Sequence, residues 1–207
     1  ANEMFLDTAD LKNSIVSHAK HVGYTPVSAT SGTANITITF NSASASSLTV
    51  NKGTAFTSSV DDVSYQFIIR DAVTVTPVDG VYTLTTDIRE GTLVTNKYTV
   101  DTTDANQRFL IENDLVDTAT LAVTVQNSSS DSTTNTYTLA SDLGAVTNTS
   151  KIYYLEQVEQ GKYEVVFGDG VLGAALSNGN IVTLEYIVST GVASNGATTF
   201  TASSTVF

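Results

Sequence analysis

The chain has 207 residues, enough for one or two domains with a core of respectable size. Nine Lys and Arg against twenty-one Asp and Glu leave a net charge of −12, a surface that repels phosphate backbones and anionic lipid alike. No run of eighteen apolar residues is present for a spanning helix, and the absence of cysteine removes disulfides, thiolate chemistry and Cys-ligated zinc. Neither nucleic acid nor membrane is an expected partner.

The opening residues, 1–23, read as a helical segment. Asp7 or Thr8 can cap it, and Asp10 sits where an acid favours the first turn. Leu11, Ile15, Ala19 and Val22 recur at helical spacing and form one apolar stripe, a candidate subunit contact. Gly23 suits the position after the helix and Pro26 stops it. His18 and His21 share a face of this helix, as metal pairs do, but no third ligand accompanies them and H-E-x-x-H is missing. They read as polar residues on a solvated or contact face.

Everything afterwards reads as β. Threonine and valine dominate, and apolar residues alternate with polar ones through Ile36, Ile38, Phe40, then Tyr65, Phe67, Ile69, then Leu121, Val123, Val125. Further strands are expected at 73–75, 81–85, 98–100, 108–111, 136–139, 152–155, 163–167 and 181–188. Short strands with closely spaced turn signals point to sandwiches or barrels. The fold expected is mainly β: two antiparallel sandwich-like modules with one N-terminal α-helix. A seam at Asp87 divides a smaller module, 24–86, from a larger one, 87–190. Residues 191–207 form an exit segment, and both ends read as cuts in a longer protein. No leader peptide is visible, since no apolar stretch follows Ala1-Asn2-Glu3. An echo links Val50–Thr57 to Ile88–Thr95 through apolar-x-x-Gly-Thr-x-apolar-Thr, which reads as two similar corners rather than a repeat array.

Residues capable of chemistry do not assemble into a known constellation. Asp61 with Asp62, Asp101 with Asp104, Asp114 with Asp117 and Glu156 with Glu159 each fall at an expected turn, where Asp bonds its own backbone. No calcium loop of the D-x-[DN]-x-[DN]-G type accompanies them. Sugar hydrolysis needs paired carboxylates in an aromatic cleft, and Trp is absent. Gly168-Asp169-Gly170-Val171-Leu172-Gly173 matches the dinucleotide fingerprint G-x-G-x-x-G. The match fails on context: Ser177-Asn178-Gly179-Asn180 is a turn signal arriving before any useful helix can form. The glycines Gly91, Gly168, Gly170, Gly173, Gly179, Gly191 and Gly196 are instead expected to serve turns, with positive φ in the Gly-Asp-Gly stretch. Asp169 either fixes such a turn by accepting from backbone amides or contacts an adjacent subunit. No catalytic, metal or cofactor-binding residue is expected.

The Phe167-Gly168-Asp169-Gly170 strand exit, followed by Val171-Leu172-Gly173, Asn178-Gly179-Asn180 and a Val-rich strand with Tyr186, resembles the baseplate J-like wedge proteins of contractile-tailed phages and related injection systems. Phe5–Ala9 leading to His21–Pro26 resembles the family's helix-to-β entry, and Val50–Phe56 with Glu90-Gly91-Thr92 resembles its Gly-Thr turns. The resemblance spans nearly the whole chain, apart from the Ser/Thr/Asn run 127–136. It implies a structural component of a baseplate wedge that links wedge subunits into a ring around the tail hub. Its partners would be further copies of itself and other wedge subunits, in the virion, after assembly in the host cytoplasm. It implies no enzyme activity and no cofactor. A different class stays open: an acidic β-sandwich adhesin or carbohydrate-binding surface module. A tail-associated hydrolase fits least well.

Overall fold

The structure, a computed structural model, describes residues 28–41, 45–141, 143–158, 161–203 and 206. The expected N-terminal helix, with Leu11, Ile15, Ala19, Val22 and both histidines, lies outside the described residues. What is described is mainly β. In chain order the strands are β1 (Thr33–Asn41), β2 (Leu48–Val50), β3 (Ala55–Val60), β4 (Val63–Ile69), β5 (Val73–Val75), β6 (Val81–Glu90) and β7 (Thr92–Thr99). They continue as β8 (Phe109–Ile111), β9 (Val116–Gln126), β10 (Thr134–Leu139), β11 (Ile152–Gln157), β12 (Tyr163–Phe167), β13 (Ile181–Val188) and β14 (Thr201–Ala202). Three sheets result, ordered β1-β6-β4-β3-β14, β7-β13-β9-β10-β11-β12-β8 and β2-β5.

Contacts divide the chain into two compact units. The first comprises Ala29–Val94, Asp117–Ala119 and Ile187–Phe207. Its core is Val50, Phe56, Phe67, Ile69, Leu84 and Ile88, against which Ala34, Ile36, Ile38, Val73 and Val75 pack. β1 supplies one face of that packing because alternate residues point inward, leaving Thr33, Asn35, Thr37, Thr39 and Asn41 exposed. On the wet face Asn35 donates to Asp87 at 2.8 Å and the Thr37 and Thr85 hydroxyls bond at 3.0 Å, a polar cross-strand ladder. At the β3–β4 hairpin Asp61 and Asp62 both take positive φ, 48° and 64°, the conformation of a tight two-residue turn.

The second unit comprises Thr95–Val116 and Thr120–Tyr186. Buried Ile111, Val123, Val125, Val165, Val182, Leu184 and Tyr186 form its interior. An edge-to-face run, Tyr98 to Phe109 to Phe167 to Tyr137, joins β7, β8, β12 and β10 at centroid separations of 5.6, 5.3 and 5.4 Å.

Three details depart from the sequence-based expectation. Asp87 lies inside β6, paired with Asn35, because Tyr82, Leu84 and Ile88 keep the strand's inward alternation going past it. The expected exit segment returns to the β body at residues 200–202. β14 pairs with β3, and Phe200 packs edge-to-face on Phe67 at 5.0 Å. The strand pairing is not wholly antiparallel, since β10 and β11 run parallel.

Candidate functional site

The Gly-Asp-Gly connection begins where β12 ends. β12 lies between β11 and β8 while β13 lies between β7 and β9, so the segment joins strands that three others separate rather than closing a hairpin. It holds its shape through its own backbone. The amide of Gly170 donates to the carbonyl of Gly173 at 3.0 Å, and one Asp169 carboxylate oxygen accepts from the amides of Val171 and Leu172, both at 2.9 Å. These bonds favour the ionised form, so the Leu172 amide first, then that of Val171, holds the Asp169 carboxyl below its usual range.

The two flanking glycines serve different ends. Gly170 has φ +88°, a left-handed conformation that favours glycine, and a Cβ there would make only ordinary contact with the Ala175 methyl at 3.8 Å. Gly168 does not share the positive φ expected of it. A Cβ there would lie 2.3 Å from the carbonyl carbon of Gly173, so the requirement is close approach of two backbone segments. Gly173 is itself left-handed, at φ +94°, and buried. Its amide donates to the Thr147 carbonyl at 3.1 Å, and the next amide, Ala174, donates to the Ser150 carbonyl at 2.9 Å. The loop is thereby clamped to the segment preceding β11. Its tip presents Val171 and Leu172 to solvent, 71% and 50% exposed.

No helix lies between Gly170 and Asn178. Asn180 instead accepts the Ser177 amide through its side chain at 2.7 Å, and Gly179, at φ +82°, donates to the Val100 carbonyl at 2.8 Å. A pyrophosphate therefore finds no helix N-terminus here. The remaining turn glycines are likewise left-handed: Gly91 at +125°, Gly191 at +70° and Gly196 at +100°. The Gly-Thr echo has unequal environments. A Cβ on Gly53 would meet nothing within 4 Å, whereas one on Gly91 would strike the Val188 carbonyl oxygen at 2.3 Å.

Sequence reasoning missed two buried carboxylates in the first unit. Glu90, 2% exposed, accepts from the Ser189 hydroxyl at 2.6 Å, the Thr190 hydroxyl at 2.9 Å and the Thr190 amide at 3.0 Å. Asp117 was grouped with Asp114 at a turn, but it lies in β9, 1% exposed. It accepts the Ser31 amide at 2.9 Å and that residue's hydroxyl, with the Arg89 guanidinium 3.8 Å away. The signal available was the Val-x-Thr-x-Thr-x-Ala periodicity running through Asp117, which marks a strand rather than a turn. Glu156 also departs from its expected turn, lying in β11 opposite Glu164 of β12, because the strand runs on past Leu155, whereas Asp101 and Asp104 behave as turn residues. Asp101 accepts from Thr103 at its amide and hydroxyl, and Asp104 accepts from the Asn106 amide at 2.9 Å. Glu159 lies outside the described residues. Among the described residues no three Asp, Glu, His or Cys side chains converge on a common point. Every acid of the connection and of the buried pair is engaged as an acceptor in holding backbone, so the arrangement can stiffen and present a surface.

No protein-family model matches the chain. Among curated proteins, the baseplate wedge protein gp6 of Enterobacteria phage T4 is 24% identical over 224 aligned positions, covering 99% of this chain. The chain spans about a third of that relative's length, 33%. Over its whole extent, then, this chain is distantly similar to a phage baseplate wedge protein.

Proposed function

We propose that the chain is a structural part of a phage-tail baseplate wedge, located in the virion tail and engaged with other baseplate proteins. The observation that carries this is the similarity to a baseplate wedge protein along 99% of the chain, rather than along one module. The chemistry of the described surface supports it. The Gly-Asp-Gly connection uses its carboxylate to brace backbone and holds two exposed apolar residues, Val171 and Leu172, on a fixed loop. A preorganised apolar tip suits docking between protein subunits, since little ordering cost remains at the moment of contact.

The finer reading is that the chain links wedge subunits into a ring around the tail hub, with further copies and other wedge subunits as neighbours. Its work is then mechanical: its interfaces hold one arrangement before tail contraction and another after it, as bistable assemblies do. In this proposal it catalyses no reaction, carries no cofactor, and binds neither nucleic acid nor membrane. Assembly takes place in the host cytoplasm.

The test is localisation. Antibody labelling of intact and contracted particles should place the protein at the baseplate and at no other part of the tail. Labelling confined to fibre tips, combined with saturable binding on a glycan array, would overturn the proposal in favour of the carbohydrate-binding module.

A further inference from the structure

Two asparagines of the chain precede glycine, Asn178 and Asn195. Asparagine is chemically weakest at that step, because glycine has no side chain to keep its amide nitrogen away from the asparagine side-chain carbonyl. The fold sets both steps in the same kind of turn. One is closed by the Asn180 amide donating to the Ser177 carbonyl at 3.1 Å, the other by the Ala197 amide donating to the Ser194 carbonyl at 3.3 Å. The glycine is left-handed in each, at +82° for Gly179 and +100° for Gly196.

The surroundings of the two turns differ. Both reacting groups of the first step are tied: the Gly179 amide donates to the Val100 carbonyl at 2.8 Å, and the Asn178 side-chain oxygen accepts the Thr102 amide at 3.1 Å. The second step lacks both ties. Asn195 and Gly196 are exposed, and among the described residues no hydrogen bond engages the Asn195 carbonyl or the Gly196 amide. With Asn195 at ψ 134°, the peptide plane between them must turn before the Gly196 nitrogen meets the Asn195 Cγ. A plane bonded at neither end is free to make that turn, whereas the amide held by Val100 is not.

We propose that Asn195 is a site of self-modification, where the turn converts its own backbone to isoaspartate. The Gly196 amide nitrogen attacks the Asn195 Cγ. The new N–Cγ bond forms, the Cγ–Nδ2 bond breaks, and the amide proton passes through solvent to the side-chain nitrogen, which leaves as ammonia. Attack within one turn needs no enzyme, since both groups are already neighbours. Water then opens the resulting succinimide. Cleavage at the backbone carbonyl routes the chain through Cβ and Cγ as isoaspartate, and cleavage at the side-chain carbonyl gives aspartate. Nothing is oxidised or reduced, and water is the one co-reactant.

The position gives this change a mechanical consequence. The point where a Cβ of Gly32 would stand lies 2.6 Å from the buried Ser194 hydroxyl, 3.7 Å from the Glu90 Cβ and 3.8 Å from the Asn195 side-chain oxygen. A new carboxylate therefore arises near the buried Glu90. Isoaspartate also lengthens the backbone between Ser194, fixed over Gly32, and Ala197 and Phe200, packed against the core of the unit. Beyond them, β14 is held to β3 by two residue pairs and by the Ser203 amide donating to the Ala55 carbonyl at 2.9 Å. Added charge and added length both loosen this short returning strand. The proposal stands independently of the baseplate reading.

The test holds the folded 207-residue chain in mildly alkaline buffer. Samples are digested at acid pH and mapped by mass spectrometry, with fragmentation that separates isoaspartate from aspartate. Conversion at Asn195 should run about tenfold or more faster than at Asn178, with isoaspartate the main product. In urea, where the bonds from Val100 and Thr102 are gone, the two rates should converge. Anion exchange then isolates the modified chain by its extra negative charge, and its Ser203 amide should exchange hydrogen faster than in unmodified chain. Asn195→Gln, whose longer side chain would have to close a six-membered ring, should remain unmodified at this position and keep the slow exchange at Ser203. The proposal is overturned by equal rates at Asn178 and Asn195 in the folded chain, or by faster conversion at Asn178. It is equally overturned if Asn195 stays intact in the folded chain while the urea-unfolded chain converts it, or if exchange at Ser203 is unchanged in the isoaspartyl fraction.

Discussion

Gly168→Ala tests how the Gly-Asp-Gly connection is held. The new Cβ would lie 2.3, 2.5 and 2.6 Å from the carbonyl carbon, carbonyl oxygen and Cα of Gly173, where ordinary contact begins at 3.4 Å. All three atoms are backbone, so no flexible side chain can yield, and the loop must open by about an ångström. Backbone displacement of this kind costs about 1–3 kcal/mol. It also loosens two hydrogen bonds, Gly170 to Gly173 and Gly173 to Thr147, each contributing about 0.5–1.5 kcal/mol. The loss expected is therefore roughly 2–6 kcal/mol. Gly170→Ala is the control: its Cβ meets only the Ala175 methyl, at 3.8 Å, and the cost is the left-handed conformation itself, about 1–2 kcal/mol. Urea unfolding, followed by tyrosine fluorescence and far-UV circular dichroism, should rank Gly168→Ala as the more damaging. Hydrogen exchange should accelerate at the amides of Gly170, Gly173 and Ala174. A Gly168→Ala midpoint equal to wild type, or higher than that of Gly170→Ala, would refute the close-approach argument.

Three further outcomes are expected. The Asp131 carboxyl accepts from the Asn127 side chain at 2.7 Å and the Thr133 amide at 2.9 Å, and its pKa falls from 3.8 to about 2, with the Asn127 bond the largest cause. Because the folded value is the lower one, the stability it contributes is present above 3.8 and lost as pH falls through about 2. Asp131→Ala should thus unfold earlier than wild type at pH 7, with the gap closing across that window. A carboxyl titration by NMR centred near 3.8 would contradict this. Glu90→Gln replaces an acceptor facing only donors with a group that brings its own N–H, and should cost about 1–3 kcal/mol; an unfolding midpoint matching wild type would remove Glu90 from any structural role. Val171→Ser with Leu172→Ser should leave stability within about 0.5 kcal/mol, since both side chains are exposed. The same pair should reduce incorporation into baseplates in a complementation assay, and full incorporation would show that the tip is not a docking surface.

The sequence by itself determined the β character of the described region. Alternation through Ile36, Ile38 and Phe40, through Tyr65, Phe67 and Ile69, and through Leu121, Val123 and Val125 reports a half-buried pleated surface, and β1, β4 and β9 follow it. Local turn chemistry was legible as well: the Asp101–Asp104 turn is closed by bonds between near neighbours, and the turn at Asn178-Gly179 is marked by its residue types although it also bonds the distant Val100 and Thr102. The polar strand β3, Ala-Phe-Thr-Ser-Ser-Val, was hidden, because its apolar content is low and its order comes from pairing with β4 and β14. Only tertiary structure decided which strands became neighbours. It put three strands between β12 and β13, ran β10 parallel to β11, and returned residues 201–202 to β3. Sequence periodicity has no register for partners distant along the chain, and those choices are made by whole-sheet packing. The same limit applied to single residues. Gly168 looks like Gly170 in the sequence, yet one is required by a neighbouring backbone and the other by its own φ. Glu90 and Asp117 look like surface acids until distant hydroxyls and amides, at Ser189, Thr190 and Ser31, are folded against them.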